Sequence, residues 1–187
     1  MKSIKELRSA FDFRIQPRDV QLYSFVRKYE KNLVDWDVFL PSVGYNLQRP
    51  FVWNKLQKEE LIWSVLLGRQ VPRVSVISIY EDGDELLQII DGKQRLGTLV
   101  TFFQGRFPIC IDEEAFLYHQ LPDDYKNEIK YFQISINTLY EPLNQPFSDQ
   151  DKINWFYFIN FAGTPQDAEH KLKLQQGLDN LQNNRNA

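Results

Sequence analysis

Asp91-Gly92-Lys93-Gln94-Arg95 brings a carboxylate, a flexible glycine, two cations and an amide together directly after the apolar run Leu86 to Ile90. The spacing of Leu96, Leu99, Val100 and Phe103 predicts a helix that begins inside this motif, and Gly105 is suited to end it. A strand, a tight turn and a helix in that order leave the first backbone N–H groups of the helix unpaired at the positive end of its dipole. A phosphate would sit there well. Gly92 lets a ligand approach the backbone, Arg95 offers a planar fork, Lys93 adds charge, and Asp91 could hold a metal or orient a water. A plainer reading fits the same residues: Asp91 as N-cap with Gln94 in a variant capping box, and Lys93 and Arg95 simply solvated. The ligand reading expects Gly92→Val to harm binding more than stability.

The elements that must position this turn are legible on its amino-terminal side. Arg73 to Tyr80 reads as a strand, and Glu81-Asp82-Gly83-Asp84 as a hairpin turn that returns the chain into the strand ending at Asp91. Before it, Asn54 with Gln57 opens a helix whose Leu56, Leu61, Ile62, Val65 and Leu66 form a buried face, and Gly68 stops it. Helix, strand, hairpin, strand and helix thus form one unit. It is expected to bring the loop carrying Gln48 and Arg49 to the same end of the sheet as Arg95. Pro50 forces Arg49 into an extended conformation that aims its guanidinium outward, and Trp53 is a large anchor below. Alternatively Arg49 pairs with a carboxylate and Trp53 is simply core.

Elsewhere, Ser3 and Glu6 open a short helix towards Ala10, and a second helix is expected over residues 18–31, starting after Pro17. Its apolar face carries Leu22, Phe25, Val26 and Tyr29; its basic face carries Arg18, Arg27, Lys28 and Lys31. Strands are expected over Trp36–Leu40, over Phe107–Asp112 with Cys110 as a small buried hydrophobe, and over Gln133–Leu139 as an exposed strand. Pro122 to Phe132 reads as a charged helix. Ser148 or Asp149 caps a helix apolar around most of its circumference, and Thr164-Pro165 opens a last one through Leu172, Leu174, Leu178 and Leu181.

The 187 residues, 43 % hydrophobic and 14 % aromatic, are ample for a packed core. No apolar run approaches the roughly 20 residues that cross a bilayer, and no apolar signal core follows the charged amino terminus, so a cytoplasmic protein without a membrane partner is expected. One cysteine excludes an internal disulfide, and His119, His170 and Cys110 have no zinc-like spacing. A net charge of −3 argues against wrapping nucleic acid with the whole surface, though not against a local basic patch.

Asp91-Gly92-Lys93-Gln94-Arg95-Leu96 closely resembles the DGQQR signature of a domain family with the ParB/sulfiredoxin-like fold, which supplies the N-terminal part of GmrSD-type modification-dependent restriction enzymes and of related phage-defence proteins. Two further segments carry the resemblance. Gly44 to Trp53 is similar to the family's tyrosine-glutamine-arginine-proline-tyrosine-valine-tryptophan segment, with Leu47 and Phe51 in place of tyrosines. Phe156, Ile159, Asn160, Gly163, Thr164 and Pro165 stand in register with a third segment, in which Ala162 replaces a glycine. The likeness spans roughly residues 36 to 166.

The resemblance implies an α+β protein: a small mixed ParB/sulfiredoxin-like sheet flanked by helices over residues 36–147, an N-terminal helical segment over 1–35 and a helical C-terminal extension over 148–187. It also implies a domain that binds a nucleoside triphosphate, or hydrolyses it with Mg²⁺, coupled to restriction of invading DNA. Carried over, the catalytic residues are Asp91, Lys93 and Arg95, with Asp91 as metal ligand. The nucleotide-binding residues are Gln48, Arg49, Gly92, Gln94, Arg95, Asn160, Gly163 and Thr164. Lys93 replaces a glutamine, adding positive charge, and Gly97 stands where threonine is usual, at a cost of about 1 kcal/mol in a helix. Sulfiredoxin carries its reactive cysteine where Lys93 and Gln94 stand, which excludes peroxiredoxin repair. The restriction enzymes append a histidine-rich nuclease domain, for which neither length nor histidines are present. Two functions stay open: a nucleotide-binding or hydrolysing regulator with a separate effector protein, and a non-catalytic module that binds DNA or protein.

Overall fold

The computed structural model describes residues 15–142, 145–161 and 176. The expected helix from Ser3 to Ala10, the Gly163-Thr164-Pro165 segment and all of the expected last helix but residue 176 lie outside the described residues. The α+β expectation holds. Five strands form one mixed sheet: β1 (Ile15–Gln21), β2 (Val34–Asp35), β5 (Val74–Glu81), β6 (Asp84–Asp91) and β9 (Gln133–Tyr140), in the order β1-β9-β5-β6-β2. Two small hairpins stand apart from it, β3 (Phe39–Leu40) with β4 (Tyr45–Asn46), and β7 (Ile109–Ile111) with β8 (Glu114–Phe116).

The centre of the sheet is apolar on both sides because both faces are covered. On one face pack α1 (Leu22–Glu30), α2 (Lys55–Leu66), α3 (Lys93–Phe103) and α4 (Asp123–Lys130), through Phe25, Ile62, Leu96, Phe102 and Ile129 among others. On the other, α5 (Asp149–Phe161) sets Ile153, Trp155 and Phe156 against Ile77, Ile79 and Ile90, with Val38, Leu40 and Leu47 beside them. Residues 15–35 contribute an edge strand and a core helix to this same body.

Local signals translate well where the bond partners are neighbours. The Asn54–Gln57 capping box forms in full, and Asp82 and Gly83 adopt φ +51° and +86°, the left-handed pair of a tight hairpin turn. Several expectations need correction. Pro17 does not precede a helix: it lies in β1, an edge strand, where its missing N–H is tolerated, and α1 begins at Leu22, which puts Arg18 on the strand. Trp36–Leu40 is not one strand, because Asp35 Oδ1 accepts from Asp37 N and Val38 N and folds the chain between β2 and β3. Gln133–Leu139 is not an exposed strand: β9 pairs with β1 on one side and β5 on the other, and Ile134, Ile136, Thr138 and Leu139 are buried. Cys110 is exposed, since its hairpin is detached from the main sheet and only Ile109 is buried there. Leu56, expected inside, is 63 % exposed, and α5 leaves Phe158 in solvent.

One polar cluster ties the edge of the sheet to α1. Glu85 accepts from Arg18 Nη2 (2.8 Å) and Ser78 Oγ (2.7 Å) and pairs with Lys28 Nζ (2.9 Å). Burial pushes its carboxyl up, but the hydrogen bonds from Ser78, Lys28 and Arg18 outweigh it and hold the group below its ordinary value of 4.5. A carboxylate whose folded pKa is depressed stabilises the fold above its unfolded pKa, and that contribution is lost as pH falls through the folded value. Urea unfolding should therefore show stability declining below pH 4.5. Glu85→Gln should flatten the decline, and an unchanged slope would assign it to other carboxylates.

Among the described residues, no helix is long and apolar enough to cross a membrane.

Candidate functional site

The turn between β6 and α3 is shaped by an irregularity just before it. Across the hairpin, Val76 pairs with Ile89 and Ser75 with Asp91, so Ile90 is left over as a bulge. The bulge re-aims the strand end, and the side chain of Gln48 donates through Nε2 to the carbonyl of Ile90. Gly92 follows at φ +97° as the N-cap of α3, with no side chain capping the helix. A Cβ there would meet Val74 Cγ1 at 2.3 Å. Glycine is thus demanded by backbone conformation and by packing on β5, not by ligand approach alone. The expected capping box of Asp91 and Gln94 is absent, because both side chains have other partners.

Gln94 is buried and grips the segment that carries Arg49. Its Oε1 accepts from Val52 N (2.9 Å) and Trp53 N (3.2 Å), and its Nε2 donates to Pro50 O (3.0 Å). The two glutamines therefore stitch two distant loops into one wall. Asp91 Oδ2 accepts from Arg95 Nη2 at 2.6 Å, and Arg95 Nη1 also donates to the carbonyls of Pro72 (2.9 Å) and Arg73 (3.1 Å). Arg95 consequently braces the turn against the entry to β5. Lys93 is bound by Asp37, whose side chain is more than half exposed. The pairing spans 56 positions, and nothing in the local spacing announces it.

These residues border a cleft of about 200 Å³ lined by Gln48, Arg49, Trp53, Asp91, Gly92, Lys93, Gln94, Arg95, Phe156 and Asn160. Arg49 and Arg95 do converge on one cavity. Of the expected site residues, Gln48, Arg49, Asp91, Gly92, Lys93, Gln94, Arg95 and Asn160 all border it, while Gly163 and Thr164 lie outside the described residues. Its lining holds three cations, Arg49, Lys93 and Arg95, against the single carboxylate of Asp91. Arg49 is exposed and has no side-chain partner among the described residues. Asn160 donates from Nδ2 to Phe156 O (2.9 Å). Among the described residues no group of three or more His, Cys, Asp or Glu could hold a metal.

The family model of the GmrSD restriction endonuclease N-terminal domain matches residues 4–185. The chain belongs to this family. No curated protein and no solved structure matches it. The match runs beyond the three motif segments and takes in β1, α1 and the residues after α5. Membership relates the chain to restriction and phage-defence proteins. Sequence reasoning brought the Asp91–Arg95 turn and Arg49 to one cleft but missed Asp37, the partner of Lys93, and the bracing of Arg95 by the Pro72 and Arg73 carbonyls.

Proposed function

We propose that the cleft beside Asp91 binds the phosphates of a nucleoside triphosphate and hydrolyses it slowly, as a regulatory step in a restriction or phage-defence system. The observation that carries this reading is the exposed Arg49, without a side-chain partner among the described residues, on the same net cationic cleft as a helix amino terminus that no side chain caps. In a protein of net charge −3, fixed cations around backbone N–H groups select for an anion. Lys93 is the adjustable part. An ion pair with an exposed carboxylate is worth at most about 1 kcal/mol, so a polyphosphate competes well with Asp37 for the ammonium. Asp91 keeps one carboxylate oxygen outside its Arg95 pair, which suits a role in orienting water. A single carboxylate also fits Mg²⁺, which usually retains several waters and leans on substrate phosphates; bound there it would neutralise phosphate charge.

The test is calorimetry and phosphate release with ATP, GTP, CTP and UTP, with and without Mg²⁺. Arg49→Gln should weaken nucleotide affinity by about 1.5–3 kcal/mol, the scale of a charge-assisted hydrogen bond. Because Arg49 has no side-chain partner among the described residues, the melting temperature should stay put. Absence of binding by all four nucleotides at millimolar concentration would remove the proposal. A second reading has an observation of its own: Lys93 and Arg95 are both already held by carboxylates, as in a purely structural turn. Binding without turnover would favour that non-catalytic module, directed at DNA or a protein effector.

A further inference from the structure

Helix α3 has a second cavity on the other side of the segment that Gln94 holds. Its volume is about 370 Å³, larger than that of the Asp91 cleft. Tyr29 and Trp36, in edge contact at 5.8 Å, form one part of the wall, and Phe51 and Phe107 contribute two more rings. Gly97 explains the shape on the helix side. A Cβ at that position would lie 3.2 Å from the Phe51 ring, so the glycine that is costly in a helix lets the ring settle against α3.

Two cations border this aromatic cavity, Lys58 and Arg106. The Lys58 ammonium is 5.2 Å from the centroid of Phe51 and 5.5 Å from that of Phe107. Neither cation has a carboxylate or a side-chain hydrogen bond among the described residues, although the chain as a whole has more acids than bases. Lys58 is half-buried against two ring faces, which offset only part of the cost of its charge, and Arg106 stands exposed at the rim. A flat apolar body with an anionic group would fill the cavity and neutralise its rim.

We propose that this cavity is a second ligand site, taking a small planar aromatic anion, with the ring between Trp36, Phe51 and Phe107 and the anionic group at Lys58 and Arg106. The proposal does not depend on nucleotide binding at Asp91. The two sites nevertheless share a wall: Arg49 and Trp53 border the first, Phe51 the second, and Gln94 fixes the backbone between them.

Naphthalene-2-sulfonate is a suitable probe, with neutral naphthalene-2-sulfonamide as its control, read by calorimetry and by amide chemical shifts. The wild type should bind the sulfonate at least about tenfold more tightly than the sulfonamide, a difference of about 1.4 kcal/mol. Shifts should centre on Gly97, Val100 and Phe107. Lys58→Gln with Arg106→Gln should remove that preference at unchanged melting temperature, and Arg106→Gln alone, at an exposed position, should reduce it if the double variant folds poorly. Equal affinity for the two probes, equal binding by the variants, or shifts centred on Asp91 to Arg95 would each overturn the proposal.

Discussion

Gly92→Ala is expected to be the most destabilising single substitution in the motif, lowering folding stability by about 2–5 kcal/mol. Two separate costs add. A non-glycine residue in the left-handed region loses about 1–2 kcal/mol, and Gly92 sits at φ +97°. Overpacking against a fixed wall costs about 1–3 kcal/mol more, and the added methyl would meet Val74 Cγ1 at 2.3 Å and Val74 Cβ at 2.7 Å. For a chain of this size the melting temperature should fall by roughly 5–20 °C. Val74→Ala in the same molecule should recover part of the packing cost and none of the backbone cost, so the double variant should remain less stable than Val74→Ala alone. A Gly92→Ala protein that melts with the wild type would mean that β5 gives way at no cost. It would also return the glycine to the role expected from sequence, that of admitting a ligand to the backbone.

What could be read in advance follows the range of the interactions. The Asn54–Gln57 box, the Asp82-Gly83 turn and the stop at Gly105 depend on residues a few positions apart, and each formed as its spacing suggested. The convergence of Arg49 and Arg95 was legible as well, because a hairpin between two strands leaves few ways to arrange the loops on either side. Gln94 was misread for the opposite reason. Its partners, Val52 and Pro50, lie more than 40 positions away, and a glutamine three residues after an aspartate looks like a cap when only neighbours are counted. Similarly, the alternation of Ile134, Ile136 and Thr138 reports a buried face but cannot report that β9 has a strand on each side. Cys110 follows the period of its hairpin, yet the hairpin lies apart from the main sheet, so the side facing away from the core faces solvent.

The ion pair at the heart of the motif separates folding from chemistry. Arg95 has three oxygen partners, the Asp91 carboxylate and the carbonyls of Pro72 and Arg73, so its removal should loosen the start of β5 as well as the cleft. Asp91 has fewer structural duties. Asparagine there keeps the shape and an oxygen able to accept from Arg95, and it loses only the charge. The side chains of the pair are mostly buried, but the carbonyls of Pro72 and Arg73 still hold the guanidinium, so that loss should cost about 1–3 kcal/mol of stability. If Asp91 orients the attacking water in the proposed hydrolysis, Asp91→Asn should lower turnover by about a hundredfold, the scale of a lost electrostatic group in an active site. Nucleotide affinity should hold or rise, because the one carboxylate in the lining no longer repels phosphate. The expected signature is therefore a fall in kcat without a matching loss of binding, the inverse of Arg49→Gln. Phosphate release under saturating nucleotide measures the first quantity and calorimetry the second. A parallel loss of both would identify Asp91 as a binding group, and unchanged turnover would leave it only the Arg95 brace.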